Sequence, residues 1–600
     1  MHDSAALLKT PAITDPPTAP PRLPAALACP PLKTTRERLR AMASDLVASW
    51  KSGGLPSAVR SSAGLRSQAE ELVRRVGGRP EFVGWTMVTI VSEYWRDRLA
   101  AGASGRRLLL LPDCPVAGSR DTIDAANRPS GMPQVCGPGC GIATLWSAAR
   151  DSGWVVESTS QAVAAIGSIV TGQYDGVLGV ARLADLEKAF SMLPAFSLPV
   201  AAVPYDPAAT GRTCAEAIAA AAVDLEWVLG LLGVAGGAAA PVGDYLPLFR
   251  EAAEMFTPAA LGALAEDLRL PAPPAGAAAE AALEPLDATA AMAGDFVARG
   301  GKFLRPFVTL AAFDAVRGDR APAADPVRPA AKAAAVAVEI FHKASLVHDD
   351  IEDDDAMRYG RPTLHVERGV PAAINVGDYL LGVGYRLVAS LPGVEPAVAR
   401  DLTAILADAH VRLARGQGAE LWWRDAGDKS LRPDEALAIY GLKTSPAFEA
   451  AIAMGIRLAG PQPASVAAID RYALHVGTGF QVLNDLKDWS GDVENDRRAA
   501  GDLLGGRPTL MWALALDGLS PVDAARLREV AREAGRPGAA GPAAAIAEAR
   551  RLYERAGVFQ RAAGIVAEQR SGALAALASC RLGRLRDVLE FLLDLAVPGQ

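Results

Sequence analysis

At 600 residues the chain exceeds the size at which one hydrophobic core keeps growing, so two or more domains are expected and one function need not cover the whole. Lys+Arg 61 against Asp+Glu 68 gives a net charge of −7, and no basic stripe tracks a phosphate polymer, which argues against nucleic acid as a partner. The six cysteines are too sparse for a secreted disulfide scaffold and suit a reducing cytoplasm.

Residues 1–33 are expected to form a disordered, proline-rich arm: the stretch has no basic region leading into an apolar run, so it does not read as a signal peptide. Residues 34–105 read as helices, with apolar positions at three- and four-residue spacing and arginines between them. From Arg106 the pattern changes. Four short β-rich runs, Leu108–Leu111, Trp154–Val156, Gly176–Val180 and Pro199–Val203, alternate with helical stretches near Ile142–Ser152, Gln161–Thr171 and Leu183–Met192. This alternation predicts a small α/β domain with a largely parallel sheet over residues 106–235.

The most apolar stretch, Ala215 to Ala240, is interrupted by Glu216, Asp224 and Glu226, and so reads as a buried helix rather than a transmembrane span. Residues 236–282 are rich in Ala, Gly and Pro, PAPPAGAAAEAA above all, and form the expected linker, with the aromatics from Tyr245 to Phe256 marking a short ordered piece. Residues 283–600 are helical almost to the end; no convincing strand and no internal repeat interrupts them.

The chemistry is concentrated in that last segment. Ser345 to His365 reads SLVHDDIEDDDAMRYGRPTLH, which on a helix puts Asp349 and Asp353 one turn apart on one face with Asp350 beside them. Carboxylates crowded together repel unless a cation sits between them. Mg²⁺ prefers oxygen ligands and commonly takes a few carboxylates plus substrate phosphates, so this face is a plausible metal–diphosphate platform; a solvated acidic turn is the plainer alternative. A second acidic face lies at FQVLNDLKD, Phe480 to Asp488, where Asn484 and Asp488 share a face and Asp485 flanks them. Two such clusters are harder to assign to chance. Lys302 and Arg305 in GGKFLRP, Arg358, Lys443 in GLKTSPA, Arg498, and Arg507 in GGRPT could supply the cations that diphosphate oxygens require, although each alone is an ordinary surface charge.

These motifs, in this order, resemble the polyprenyl synthetase family of trans-isoprenyl diphosphate synthases, over about the last half of the chain. The resemblance implies an all-α isoprenoid synthase-type helical bundle and a homodimer; with the small α/β domain and the helices that precede it, read from their own patterns, the chain is expected to be multidomain. GGKFLRP resembles the first basic motif, which implies that Lys302 and Arg305 bind isopentenyl diphosphate with His342 of EIFHKASLVHDD beside them. DDIED resembles the first Asp-rich motif, so Asp349, Asp350 and Asp353 would hold Mg²⁺ with Asn484 and Asp488 opposite, about three ions per site. Arg358, Lys443, Thr444 and Arg498 would grip the allylic diphosphate. Asp485, Phe480, Gln481 and Arg507 complete the implied site, and NVGDYLL (Asn375 to Leu381) and GQGAEL (Gly416 to Leu421) match family helices. The implied chemistry is electrostatic: charge building on departing diphosphate is stabilised, an allylic cation forms in a dry pocket, the isopentenyl double bond attacks it, and no protein nucleophile is needed.

Two positions depart from the family pattern. Tyr359 stands where a second arginine usually follows Arg358 to contact isopentenyl diphosphate, and a phenol carries no positive charge at neutral pH. Asn484 opens the second Asp-rich motif in place of aspartate, keeping a carbonyl oxygen but losing a charge. Arg498 and Arg507 replace lysines and keep the charge. Ala344 and Ser345 stand where bulky residues stop product growth, which implies products longer than farnesyl, with Tyr385, Trp422 or Trp423 as alternative caps lower down. The expected activity is condensation of an allylic prenyl diphosphate with isopentenyl diphosphate. The alternatives are a class I terpenoid enzyme that ionises an allylic diphosphate without that cosubstrate, and a non-catalytic diphosphate-binding subunit.

Between Arg106 and Cys214, Cys136 and Cys140 form a Cys-x₃-Cys pair ahead of a helix, with Cys114 after a strand. Three or four thiols, counting Cys214, could bind Zn²⁺ or an iron–sulfur cluster or act in redox chemistry; unligated cysteines in a glycine-rich turn are the alternative. The region resembles domain-of-unknown-function family 116, but Arg182 of GVLGVAR stands where a further cysteine would be.

Overall fold

The computed structural model describes residues 28–100, 106–114, 132–135, 140–159, 172–186, 196–205, 224–232, 245–267, 284–317, 325–460, 466–489, 500–504, 506–534, 542–578, 580 and 583–598. Three helices come first: α1 (Lys33–Gly53), α2 (Ser62–Arg75) and α3 (Val83–Ala100). Helix α3 is buried almost all round, Trp85, Ile90 and Trp95 included, as expected of a helix apolar on every face.

Next comes a four-stranded sheet of β1 (Arg107–Leu111), β2 (Val155–Ser158), β3 (Gly176–Arg182) and β4 (Val200–Tyr205), with α4 (Gly141–Asp151) and α5 (Leu225–Leu232). The order is β2-β1-β3-β4 and every pairing is parallel, matching the expected layer. Ladder pairing of β3 with β4 carries β3 on to Arg182 opposite Tyr205, beyond the apolar run that the sequence marks. The helical expectation at 161–171 lies outside the described residues. Strand β1 is buried on both faces: Leu109 and Leu111 join a core with α1 to α5, whereas Leu108 and Leu110 join the core of the C-terminal helices. Ser92 on α3 ties helix to sheet by donating to the Ala202 carbonyl at 2.8 Å while accepting from the Ala202 amide at 2.9 Å.

Two further helices, α6 (Leu246–Glu254) and α7 (Pro258–Asp267), carry the ordered piece on to Asp267. Their aromatics lock into the C-terminal core: Phe249 stacks on Phe307 at 3.9 Å between centroids, and Phe256 on Phe303 at 4.6 Å.

The remainder is a helical bundle of α8 (Ala288–Ala298), α9 (Leu304–Arg317), α10 (Arg328–Glu352), α11 (Leu364–Arg368), α12 (Val370–Ala389), α13 (Pro396–Asp425), α14 (Pro433–Ala459), α15 (Val466–Asp488), α16 (Gly501–Leu504), α17 (Leu510–Gly518), α18 (Pro521–Ala534), α19 (Pro542–Arg555), α20 (Val558–Ala578) and α21 (Gly583–Ala596). Helices α13 and α14 approach so closely at Gly416 that a Cβ there would lie 2.5 Å from the Lys443 backbone nitrogen. One correction to the sequence reading is a miniature antiparallel ladder, β5 (Met357–Arg358) against β6 (Arg361–Pro362). It closes through Tyr359 at φ 52° and Gly360 at φ 70°, the two positive dihedrals of a type I′ hairpin turn. Ladders this short leave no apolar alternation to read. Among the described residues no helix is long and apolar enough to cross a membrane.

Candidate active site

Helix α10 ends in an electrostatic conflict. Asp349, Asp350 and Glu352 occupy its last turn and Asp353 caps it, with no basic residue in that turn, so four carboxyl groups sit at the negative end of the helix dipole. Cations from other segments gather around them. Arg507 reaches Asp353 at 3.3 Å and Asp355 at 3.3 Å, and Arg424 donates to the Glu352 carbonyl at 2.6 Å. Burial pushes the Asp349 carboxyl up to about 7, helped by Asp353 and Glu352 and opposed by Lys443. Lys443 itself donates to Glu420 at 2.8 Å, and Thr444 to Gln481 at 3.3 Å.

Asp350 does not share this face. One residue turns a helix by about 100°, and the step carries Asp350 inward, where it is 1% exposed and pairs with Arg358, Nε at 2.6 Å and Nη2 at 2.5 Å. The same rotation separates Asp485 from Asn484 and Asp488. Asp485 is buried and accepts from the Tyr440 hydroxyl at 2.5 Å, while that hydroxyl accepts from the Leu510 amide at 2.8 Å. Burial lifts its carboxyl well above the usual range, reinforced by Asp502. Asp488 accepts backbone amides of Gly501 at 3.1 Å and Asp502 at 3.4 Å, so it anchors the start of α16. Asn484 is half-buried on the same helix, and Phe480 meets Phe448 edge-on at 6.4 Å. Arg498 lies outside the described residues.

Arg305 of the first basic motif lies near Glu339 and His342 of α10. Arg305 lies against the Phe448 ring at 5.4 Å, and Glu339 and Tyr359 act on its charge. Burial, with Arg305, Lys343 and Arg358 nearby, holds the His342 imidazole well below its usual value, so it stays neutral. Lys302 is exposed at the loop that precedes α9. Two residues that sequence reasoning passed over complete this cluster: Lys343, fully buried, and Glu339, 2% exposed. Their signal was a Glu and a Lys one turn apart inside the apolar run of α10.

Below the carboxylates, Phe341 packs edge-on against Tyr385 at 4.7 Å, and the Tyr385 hydroxyl lies 3.2 Å from His410 Nδ1. Of the other candidate caps, Trp422 is 83% exposed, and Trp423 is buried with its indole donating to the Lys429 carbonyl. Ala344 is fully buried and Ser345 exposed.

Among the described residues no three His, Cys, Asp or Glu side chains converge as a metal cage. Asp349 and Asp353 nevertheless offer hard oxygens one turn apart, and Mg²⁺ typically takes one or two carboxylates and completes its shell with substrate phosphates and water, so these residues fit that ion. In the N-terminal domain, Cys114 and Cys140 are buried, Cys140 at the N-cap of α4, whereas Cys136 and Cys214 lie outside the described residues.

Residues 287–544 match the family model described as polyprenyl synthetase. A short chain isoprenyl diphosphate synthase of Methanothermobacter thermautotrophicus is 31% identical over 267 residues, covering 44% of this chain and 76% of that protein. A geranylgeranyl diphosphate synthase of Saccharolobus solfataricus is 31% identical over 214 residues, covering 35% of this chain and 61% of that protein. The crystal structure of geranylgeranyl pyrophosphate synthetase from Pyrococcus horikoshii Ot3 is 26% identical, with a TM-score of 0.46, over 57% of this chain and 98% of that one. With 31% identity extending over 76% of a synthase, the chain belongs to the polyprenyl synthetase family, transferases of isoprenoid biosynthesis.

Proposed function

We propose that this chain condenses an allylic prenyl diphosphate with isopentenyl diphosphate and makes a product longer than farnesyl diphosphate. The observation that carries the reading is that Asp349, beside Asp353 at the end of α10, lies near Lys443 and Arg358, and that Arg358 in turn lies with Arg305 near His342, two turns earlier on the same helix. Mg²⁺ bound by Asp349 and Asp353 would neutralise charge on the departing diphosphate. Lys443 holds the allylic diphosphate in place, and Arg507 keeps the Asp353 turn closed against α16. Arg305, Lys302 and neutral His342, able to donate through a ring N–H, hold the second diphosphate. Apolar walls of α10 and α12 keep water from the cation. Small Ala344 and Ser345 let the tail descend to the Phe341–Tyr385 layer. The same reading takes the molecule as a cytoplasmic homodimer.

The test is incubation of the full-length protein with Mg²⁺, labelled isopentenyl diphosphate and each of dimethylallyl, geranyl and farnesyl diphosphate. Label in a longer prenyl diphosphate supports elongation and gives its length. Tyr359, which brings no cation to the second diphosphate, favours one other reading: ionisation of the allylic substrate alone. Diphosphate release without incorporation of label would select it.

A further inference from the structure

Three separate segments meet at one buried ammonium. Lys343, on the third turn from the end of α10, donates through Nζ to the Gly300 carbonyl and sits 4.3 Å from the centroid of the Tyr359 ring, with Phe296 at 5.8 Å and Phe303 at 6.0 Å. Gly301, at φ 134°, lies directly over it. A Cβ at Gly301 would stand 3.5 Å from Lys343 Nζ, 3.7 Å from the Tyr359 hydroxyl and 3.8 Å from Glu339 Oε1. The loop of Gly300 and Gly301 leads into Lys302 and Arg305, and the Tyr359 turn follows Arg358.

A lysine this deep is costly, and an apolar side chain of the same length would fill the space at less cost. Its partners explain how it is held but not why a charge belongs there. The carbonyl of Gly300 and the face of the Tyr359 ring are each weak acceptors beside a carboxylate, and neither neutralises the ammonium. Glu339, one turn away, does not reach it as a close ion pair among the described contacts. Glu339 acts on the ammonium and offsets its charge in part, and the remaining positive field of Lys343 reaches the loop that carries Lys302 and Arg305.

We propose that Lys343 is a specificity-determining positioning residue for isopentenyl diphosphate: its ammonium clamps the Gly300–Lys302 loop to the Tyr359 turn and supplies, from beneath, the positive charge that Tyr359 lacks. This rests on the elongation reading. It gives Tyr359 a defined role, the aromatic lid on the ammonium, and explains how a chain without a second arginine in the turn retains a cationic second-substrate pocket.

The test separates the two substrates. KM and kcat are measured for both in the wild type, Lys343→Met, Lys343→Arg and Lys343→Met/Tyr359→Arg. Lys343→Met is expected to raise KM for isopentenyl diphosphate about tenfold and to leave KM for the allylic substrate within about twofold, because only one of the two diphosphates lies beside the loop. Lys343→Arg is expected to recover most of the loss, and the double variant to return to within about threefold of wild type, since it restores a cation from the other side of the pocket. An unchanged KM for isopentenyl diphosphate in Lys343→Met, or equal rises for both substrates with no rescue in the double variant, overturns the proposal. Should Lys343→Met fail to fold, Tyr359→Leu removes the ring from the ammonium at a partly exposed position and is expected to raise KM for isopentenyl diphosphate about threefold or more, with the allylic KM unchanged; no change there overturns it equally. Wild-type protein that never incorporates isopentenyl diphosphate overturns the elongation reading itself, and this assignment with it.

Discussion

Arg358 places two nitrogens on a single oxygen of Asp350, Nε at 2.6 Å and Nη2 at 2.5 Å, and leaves the other carboxylate oxygen buried without a hydrogen-bond partner. The pair fastens the Tyr359 hairpin to the last turn of α10. Removing one member strands a buried charge, so Asp350→Ala is expected to lower unfolding stability by about 3–5 kcal/mol in urea denaturation. Asp350→Asn keeps one acceptor and should cost less. Equal, negligible losses for both would show that the pair does not hold the hairpin.

Asp349 and Asp353 are expected to behave differently, because they face the cation cluster rather than the core. Asp349→Asn or Asp353→Asn should lower kcat by about 10²–10³-fold, the scale of losing one preorganised electrostatic contact, while the thermal midpoint stays within a few degrees. The Mg²⁺ concentration for half-maximal rate should rise in both variants. A kcat within fivefold of wild type would remove these two residues from the metal platform.

Product length should answer to the aromatic layer. Phe341 precedes Asp349 by two helical turns, about 12 Å at 1.5 Å per residue. It meets Tyr385, whose hydroxyl is fixed by His410. Tyr385→Ala opens the floor and is expected to lengthen the dominant product by at least one isoprene unit, read by mass spectrometry of the dephosphorylated alcohols. An unchanged product distribution would place the floor elsewhere.

Glu339 offers a pH signature. Burial lifts its carboxyl from 4.5 to about 7, with Arg305 and Lys343 opposing. The folded chain therefore binds this proton more tightly than the unfolded chain. The stabilisation is fully present below pH 4.5 and is lost as pH rises to about 7. Between pH 5 and pH 8 the wild type should lose about 2–3 kcal/mol more than Glu339→Gln in urea denaturation. Parallel pH profiles for the two proteins would show that Glu339 is not proton-linked to folding.

What the sequence determined by itself was whatever repeats with the period of one element. Asp349 and Asp353 share a face because four residues make slightly more than one helical turn, and β1 reads as a strand buried on both sides because four leucines run together. The four parallel strands, the helical C-terminal half and the order of the motifs followed from such local patterns. Tertiary structure decided which groups those faces meet. It turned Asp350 to Arg358 and Asp485 to Tyr440, pairs whose members lie on different elements. It placed Leu108 and Leu110 in one core and Leu109 and Leu111 in another. It also set Lys343 beneath Tyr359, joining α10 to a hairpin turn and to the glycine loop. Contacts of this kind depend on how elements cross, and crossing leaves no period in the chain; a buried lysine and a tyrosine in the turn are two unremarkable letters until the fold stacks one on the other.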